Sequence, residues 1–241
     1  MPTDPRRGGA VLGSRERLLA LYDVMPFHRH PLWRAILGRD LSLKQVLKAE
    51  VQHYIRTRAG QVLRREALEH ARGLSAVIWE AILETYLEEC TDQITASHLA
   101  LIERLLTIGG IQQEELDTTP PTIGNAAAIA LYRDISGRGP ACHLLGAGAV
   151  EHFYSRLSPD IYRVYTEHYG MSPHQAETYA IHGPMDRQHA DRAFRILEEA
   201  IRAHGWPAIE TSVRDAFAAT SLHYDGMLQA ALGHIVFWDG R

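Results

Sequence analysis

The sequence predicts an all-α fold, a bundle of seven or more helices. Apolar residues recur at helical spacing over nearly the whole length. Capping residues and glycine or proline stops divide these stretches into helix-sized pieces. No run of alternating polarity reaches useful strand length, and there is no repeat or low-complexity segment.

Residues 1–13 read as a flexible N-terminal tail and residues 14–241 as a single helical domain. Ser42-x-x-Gln45 is a capping box, which satisfies two helix-end N–H groups reciprocally. It opens a long helix from Leu43 to about Arg72, rich in Leu, Ala, Glu, Arg and Gln and stopped by Gly73. A second helix is predicted from Ser75 to Glu89, and a third from Thr95 to Ile108, ending at Gly109-Gly110. The stretch DTTPPTIG reads as a loop, followed by helices over 122–136 and 141–156. Pro159 is expected to open a short helix that closes at Gly170. Ser172-Pro173 is an N-cap with proline at the first helical position, predicting a long helix to His204. Trp206-Pro207 is expected to break it before a last helix over 208–231.

Apolar residues make up 46% of the 241, enough for a sizeable core. The net charge of −4 argues against a nucleic-acid footprint. No apolar run approaches the roughly 20 residues of a membrane span. The start lacks an apolar signal core, and Cys90 and Cys142 stand in no metal or redox spacing. The expected setting is reducing and cytoplasmic, with no nucleic-acid or membrane partner. Fourteen histidines against five phenylalanines direct attention to metal ligands.

His182, Asp186 and His189 stand at i, i+4 and i+7, on one face of a helix. The bland reading is a polar surface stripe. Gly183 and Pro184 lie among them, although an interior proline costs roughly 3 kcal/mol and glycine about 1 kcal/mol. A surface helix has no need of that cost; a helix bent around something in the core does. Glu151 follows a run, Ala141 to Val150, that is apolar nearly all round, so its helix is expected to be central. A buried carboxylate is paired or holds a metal. The ordinary reading is a salt bridge to Arg156 or to an arginine of another helix. His98 lies on an apolar face, downstream of Glu84, Glu88, Glu89 and Asp92. Taken alone it is a core histidine, and the acids are a solvated helix end.

Together these residues resemble the haem-oxygenase-like di-iron oxidases and oxygenases. His182-Gly-Pro-Met-Asp186-Arg-Gln-His189 matches that family's late H-x-x-x-D-x-x-H, with Glu151 before it and His98 before that. Arg29-His30-Pro31-Leu32-Trp33 resembles the first helix of the wider superfamily. The resemblance covers residues 20–215 and implies a metal set of Glu88, His98, Glu151, His182, Asp186 and His189. The first acid is the least fixed: Glu88 is the choice, with Glu84, Glu89 and Asp92 as alternatives. It further implies two ferrous ions, one of them labile, O2 as co-substrate, a small substrate and a homodimer. A segment around Gly183-Pro184 that orders when metal or substrate binds would fit as well.

The family's reactions include desaturation, C–C cleavage, ring formation and N-oxygenation, many in natural product biosynthesis. Arg29, His30, His143 and Arg187 are candidate substrate contacts and favour an amino acid, since arginine can grip a carboxylate in a bidentate pair. The rivals are a metal-free oxidase resembling pyrroloquinoline-quinone synthase, and a thiaminase-like hydrolase using Cys142. A non-catalytic helical interaction protein and a haem oxygenase with His28 or His30 as proximal ligand complete them.

Overall fold

The computed structural model describes residues 12–93 and 96–240, so most of the expected N-terminal tail lies outside it. Among the described residues there are eleven α-helices and no strand. In order they are α1 (Ser14–Ala20), α2 (Pro31–Leu37), α3 (Leu43–His70), α4 (Ala76–Cys90), α5 (His98–Ile108) and α6 (Gln113–Thr118). Then follow α7 (Ile123–Gly137), α8 (Pro140–Glu167), α9 (Glu177–Arg195), α10 (Leu197–His204) and α11 (Trp206–Leu232). No helix is long and apolar enough to cross a membrane.

The long helices α3, α8, α9 and α11 form the body. α8 packs along α9 and α11, and α11 packs against α3 and α7. The predicted capping box holds α3: the Ser42 N–H donates to Gln45 Oε1 at 2.9 Å, and Ser42 Oγ accepts from the Gln45 N–H. Ser75 and Ser97 cap α4 and α5, each hydroxyl accepting the N–H three residues on without a reciprocal bond. The predicted start of α5 at Thr95 falls outside the described residues. α11 begins two residues before the predicted 208, because Pro207 is tolerated in a first turn that needs no N–H.

Three boundaries differ from expectation. α8 is one helix, with Pro159 inside it rather than opening a new one. Ile161, Val164 and Tyr165 beyond the proline are buried, and this burial offsets the lost hydrogen bond. Ser172 caps the Gln175 N–H at 3.1 Å, but only a turn follows and α9 starts at Glu177. The predicted long helix also divides at Ile196, so α9 and α10 are separate. Finally, α6 runs to Thr118, into the stretch read as a loop, and α1 lies within the region read as helical without being bounded there.

The α8–α9 contact is close. A Cβ on Gly148 would meet the Ala193 Cβ at 2.3 Å, and one on Gly183 would meet Pro159 Cγ at 3.3 Å. Ser158 Oγ donates to the Tyr179 carbonyl at 2.7 Å across the same contact. Gly183 therefore serves the close approach of the two helices. α9 continues as helix through Pro184, which is exposed, as is Ala180, whose carbonyl loses its partner. On this exposed face solvent can reach such a carbonyl, so the proline costs less than it would on a buried face.

Candidate metal centre

On α9 the three spaced residues all face inward: His182, Asp186 and His189 are each less than 5% exposed, at 4%, 2% and 1%. Arg187 and Pro184 lie on the opposite, exposed side. The helix period alone makes this division.

Two groups of ligand-type atoms form around them. Glu89, His98 and His182 make one, and Glu151, Asp186 and His189 the other, with the atoms of each group within 4.8 Å of one another. Glu89 belongs to both neighbourhoods. One of its oxygens lies 3.1 Å from His98 Nδ1, the other 3.7 Å from His182 Nε2 and 3.6 Å from His189 Nδ1. Glu151 lies 3.7 Å from His189 Nδ1.

Of the acids offered for the first position, the structure brings Glu89 into a ligand group with His98 and His182. Glu89 faces the cluster, whereas Glu88 pairs with Arg192 at 2.7 Å and with His189 Nε2 at 2.9 Å. Consecutive helix residues point about 100° apart, so only one of the two can face inward. The buried stripe of α4 runs Ile78, Ala81, Ile82, Thr85 and Glu89. Extending that apolar stripe along the sequence would have selected Glu89. Glu84 is taken by Arg192 at 2.8 Å, and Asp92 accepts the Ser97 N–H at 2.7 Å.

The surrounding chain sets the histidine tautomers. His182 Nδ1–H donates to the Thr178 carbonyl at 2.5 Å, leaving Nε2 as the atom that faces the cluster. His189 Nε2–H donates to Glu88, leaving Nδ1 free. His182 Nε2, His189 Nδ1 and Asp186 Oδ2 are all buried without a hydrogen-bond partner. An unpaired buried acceptor costs about 1–3 kcal/mol. Three such atoms on one helix face, beside two more carboxylates, fit a bound cation.

Electrostatics agree. Among the described residues, the fixed cation paired with the cluster's carboxylates is Arg64, 3.2 Å from Glu89 and 3.7 Å from Glu151. Burial opposes charge on His182, but the Glu89 and Asp186 carboxylates overcome it and raise its pKa to about 9. His189 is likewise opposed by burial yet raised by Glu151 and Glu88 to about 10. Burial, then the neighbouring Glu151 and Glu89, pushes Asp186 well above the usual carboxylate range. Burial also pushes Glu89 up, but Arg64 and His98 together hold it well below that range. The protons held on His182, His189 and Asp186 are those that a metal ion would displace.

A cavity of about 110 Å³ adjoins the cluster, lined from α3, α7, α8 and α11 as well as by Glu89, His98, Glu151, His182 and Asp186. Of the four proposed substrate contacts, only His143 lines it. Arg29 and Arg187 are exposed because their helix positions face solvent. His30 is fully buried as the N-cap of α2: Nδ1 accepts the Leu32 N–H at 3.1 Å and Nε2 contacts Asp225 at 3.1 Å. Both its ring nitrogens are engaged, and His28, which bonds Tyr22 through Nδ1, does not line the cavity. Cys142 is buried and does not line the cavity, which leaves it without a nucleophile's access. The salt-bridge reading of Glu151 holds in part, through Arg64 of α3 rather than Arg156.

Sequence reasoning missed the contribution of α3. His53, Arg56 and Arg64 line the cavity. Behind them Glu50, fully buried, accepts from Tyr165 and Tyr179 and contacts His53 Nδ1 at 3.0 Å. Nothing in a polar helix sequence distinguishes these from solvated residues.

Residues 64–225 match the family described as iron-containing redox enzymes, which is more than half of the chain. A domain of unknown function with a haem oxygenase-like fold from Shewanella denitrificans superposes with a TM-score of 0.72 at 14% identity, covering 89% of this chain and 90% of that one. A CADD-like protein of unknown function from Nostoc punctiforme gives 0.73 at 15% identity, covering 92% and 97%. A TenA family transcription regulator from a Silicibacter species gives 0.62 at 15% identity, covering 91% and 96%. At these identities the likeness establishes the fold alone. No protein of curated function matches the chain.

Proposed function

The chain belongs to the family of iron-containing redox enzymes and has a haem oxygenase-like fold, and from that premise we propose an O2-dependent non-haem di-iron oxidase or oxygenase. Its substrate is a small molecule, of about amino-acid size. The observation that carries the reading is the set of three unpartnered acceptors on α9, beside Glu89, His98 and Glu151.

The residues that would hold iron are Glu89, His98 and His182 for one ion, and Glu151, Asp186 and His189 for the other. Carboxylate and imidazole without thiolate suit ferrous iron. Three carboxylates offset most of the charge of two divalent ions. When bound, ferrous iron would activate O2 by passing electrons to it, and O2 is the oxidant of the substrate.

The chain's own residues do the rest. Thr178 and Glu88 hold the far ring nitrogens of His182 and His189, so that the other nitrogens face the carboxylate cluster. Arg64 touches Glu89 and Glu151 and balances their charge while no metal is bound. Trp33, Leu63, Ile129, Tyr224 and Met227 line the cavity and restrict water around the substrate. A cavity of about 110 Å³ has room for on the order of ten water-sized positions, which favours a compact substrate over a long acyl chain.

The deciding experiment adds ferrous iron anaerobically to metal-free protein, then admits O2 with and without a panel of amino acids. Two irons per chain and substrate-dependent O2 uptake are expected, both lost in His182→Ala. No iron uptake above background would return the reading to a metal-free oxidase or an interaction protein.

A further inference from the structure

We propose that Arg56 anchors the carboxylate of the substrate, making this an enzyme for small carboxylic acids. The inference rests on reading the cavity as the substrate site.

Two arginines of α3 line the cavity and they stand differently. Arg64 is already neutralised, by Glu89 and Glu151. Arg56, eight residues earlier, makes no ion pair or hydrogen bond with any described residue, and its Nε is buried without a partner. Its one specific contact is with the Tyr132 ring, at 5.9 Å, the outer limit of cation–π attraction. A guanidinium keeps its charge and carries five donors in a planar fork. Leaving it half-desolvated and unpaired is costly unless an anion from outside completes it.

The neighbouring polar groups cannot be that anion. Tyr132 and Thr220 hydroxyls bond each other at 2.8 Å. His223 Nδ1 bonds Asn125 Oδ1 at 2.9 Å and leaves only the other ring nitrogen toward the cavity. Glu50, the nearest buried acid on α3, is occupied by Tyr165, Tyr179 and His53. Arg56 lies one turn beyond His53, whose ring is 5.5 Å from His98, so an anion bound there sits beside the metal-ligand face.

The anion is a carboxylate rather than a phosphate. A bidentate pair with one guanidinium satisfies a carboxylate. A phosphate dianion calls for a second free cation, and Arg64, the other arginine lining the cavity, is already paired with Glu89 and Glu151. The wall formed by Ile129, Tyr224 and Met227 then takes the apolar body of the acid.

The test is calorimetry on iron-loaded, anaerobic protein with hexanoate, benzoate and L-norleucine, the three matching amides, and inorganic phosphate. At least one carboxylate is expected to bind ten-fold or more tightly than its amide. Arg56→Gln should lose at least ten-fold of that affinity while keeping its iron stoichiometry and melting temperature, and Arg56→Lys should retain part of it. Equal binding of acid and amide, unchanged affinity in Arg56→Gln, tighter binding of phosphate, or no binding by any of the three acids would overturn the proposal. Selective carboxylate binding that persists in wild-type protein unable to take up iron would instead overturn the iron reading and leave the anchor standing.

Discussion

His182 Nδ1 lies 2.5 Å from the carbonyl oxygen of Thr178, one helical turn earlier. The backbone of α9 thereby selects the tautomer of its own inward-facing imidazole. The free nitrogen, Nε2, is buried and without a partner. A ring turned this way is prepared for a cation.

The adjacent acids of α4 should behave differently. Glu89→Gln removes a carboxylate that touches both ligand groups, so most iron binding should be lost. Glu88→Gln leaves the cluster intact and weakens the orientation of His189, for which about a 10–100-fold loss of metal affinity is expected at unchanged stoichiometry. Iron titrations of the two variants read this contrast, and identical behaviour would reject the assignment of Glu89.

The metal-free protein should lose stability as pH rises. Burial opposes charge on His182 and His189, but the surrounding carboxylates raise them to about 9 and 10. Their contribution is complete below the unfolded pKa near 6.5 and is lost as pH climbs through 9 and 10. Melting temperature followed from pH 6 to 10 should fall, and fall less in His189→Gln. Metal binding at neutral pH should release protons, which calorimetry in buffers of different ionisation enthalpy would detect.

At the acid end Glu88 gives the opposite sign. The hydrogen bond from His189 holds it at about 2 against the cost of burial, with help from Arg192. Its contribution is present above the unfolded pKa near 4.5 and is lost as pH falls toward 2. Acid titration of Glu88→Gln should show a shallower loss of stability than wild type.

The α8–α9 approach should tolerate no side chain at Gly148. Gly148→Ala would place its Cβ 2.3 Å from that of Ala193, an overpacking that costs about 1–3 kcal/mol. The same change separates Glu151 from Asp186 and His189, so iron affinity should fall with the melting temperature. Ala193→Gly in the same chain should recover both in part. A single variant as stable as wild type would show that the helices yield at this point.

Much of this was legible in one dimension. Capping residues and stops located α3, α4, α5, α7 and α11 to within a few residues, because helix ends need local partners for their orphan N–H and C=O groups. Pro159 and Ser172-Pro173 misled, because burial of the chain beyond them outweighs local preference. His182, Asp186 and His189 could be grouped from spacing alone, since the helix period fixes which side chains share a face.

The sequence by itself determined the helical class, the inward face of α9 and the kinds of donor it carries. Only the tertiary structure decided that Glu89 rather than Glu88 turns toward that face. It also decided that Arg64 is neutralised while Arg56 is not, and that His30 is a cap rather than a substrate contact. These depend on which helix lies opposite and at what rotation. That is settled by close approach at residues such as Gly148 and by burial summed over the whole core, neither of which any short stretch of sequence encodes.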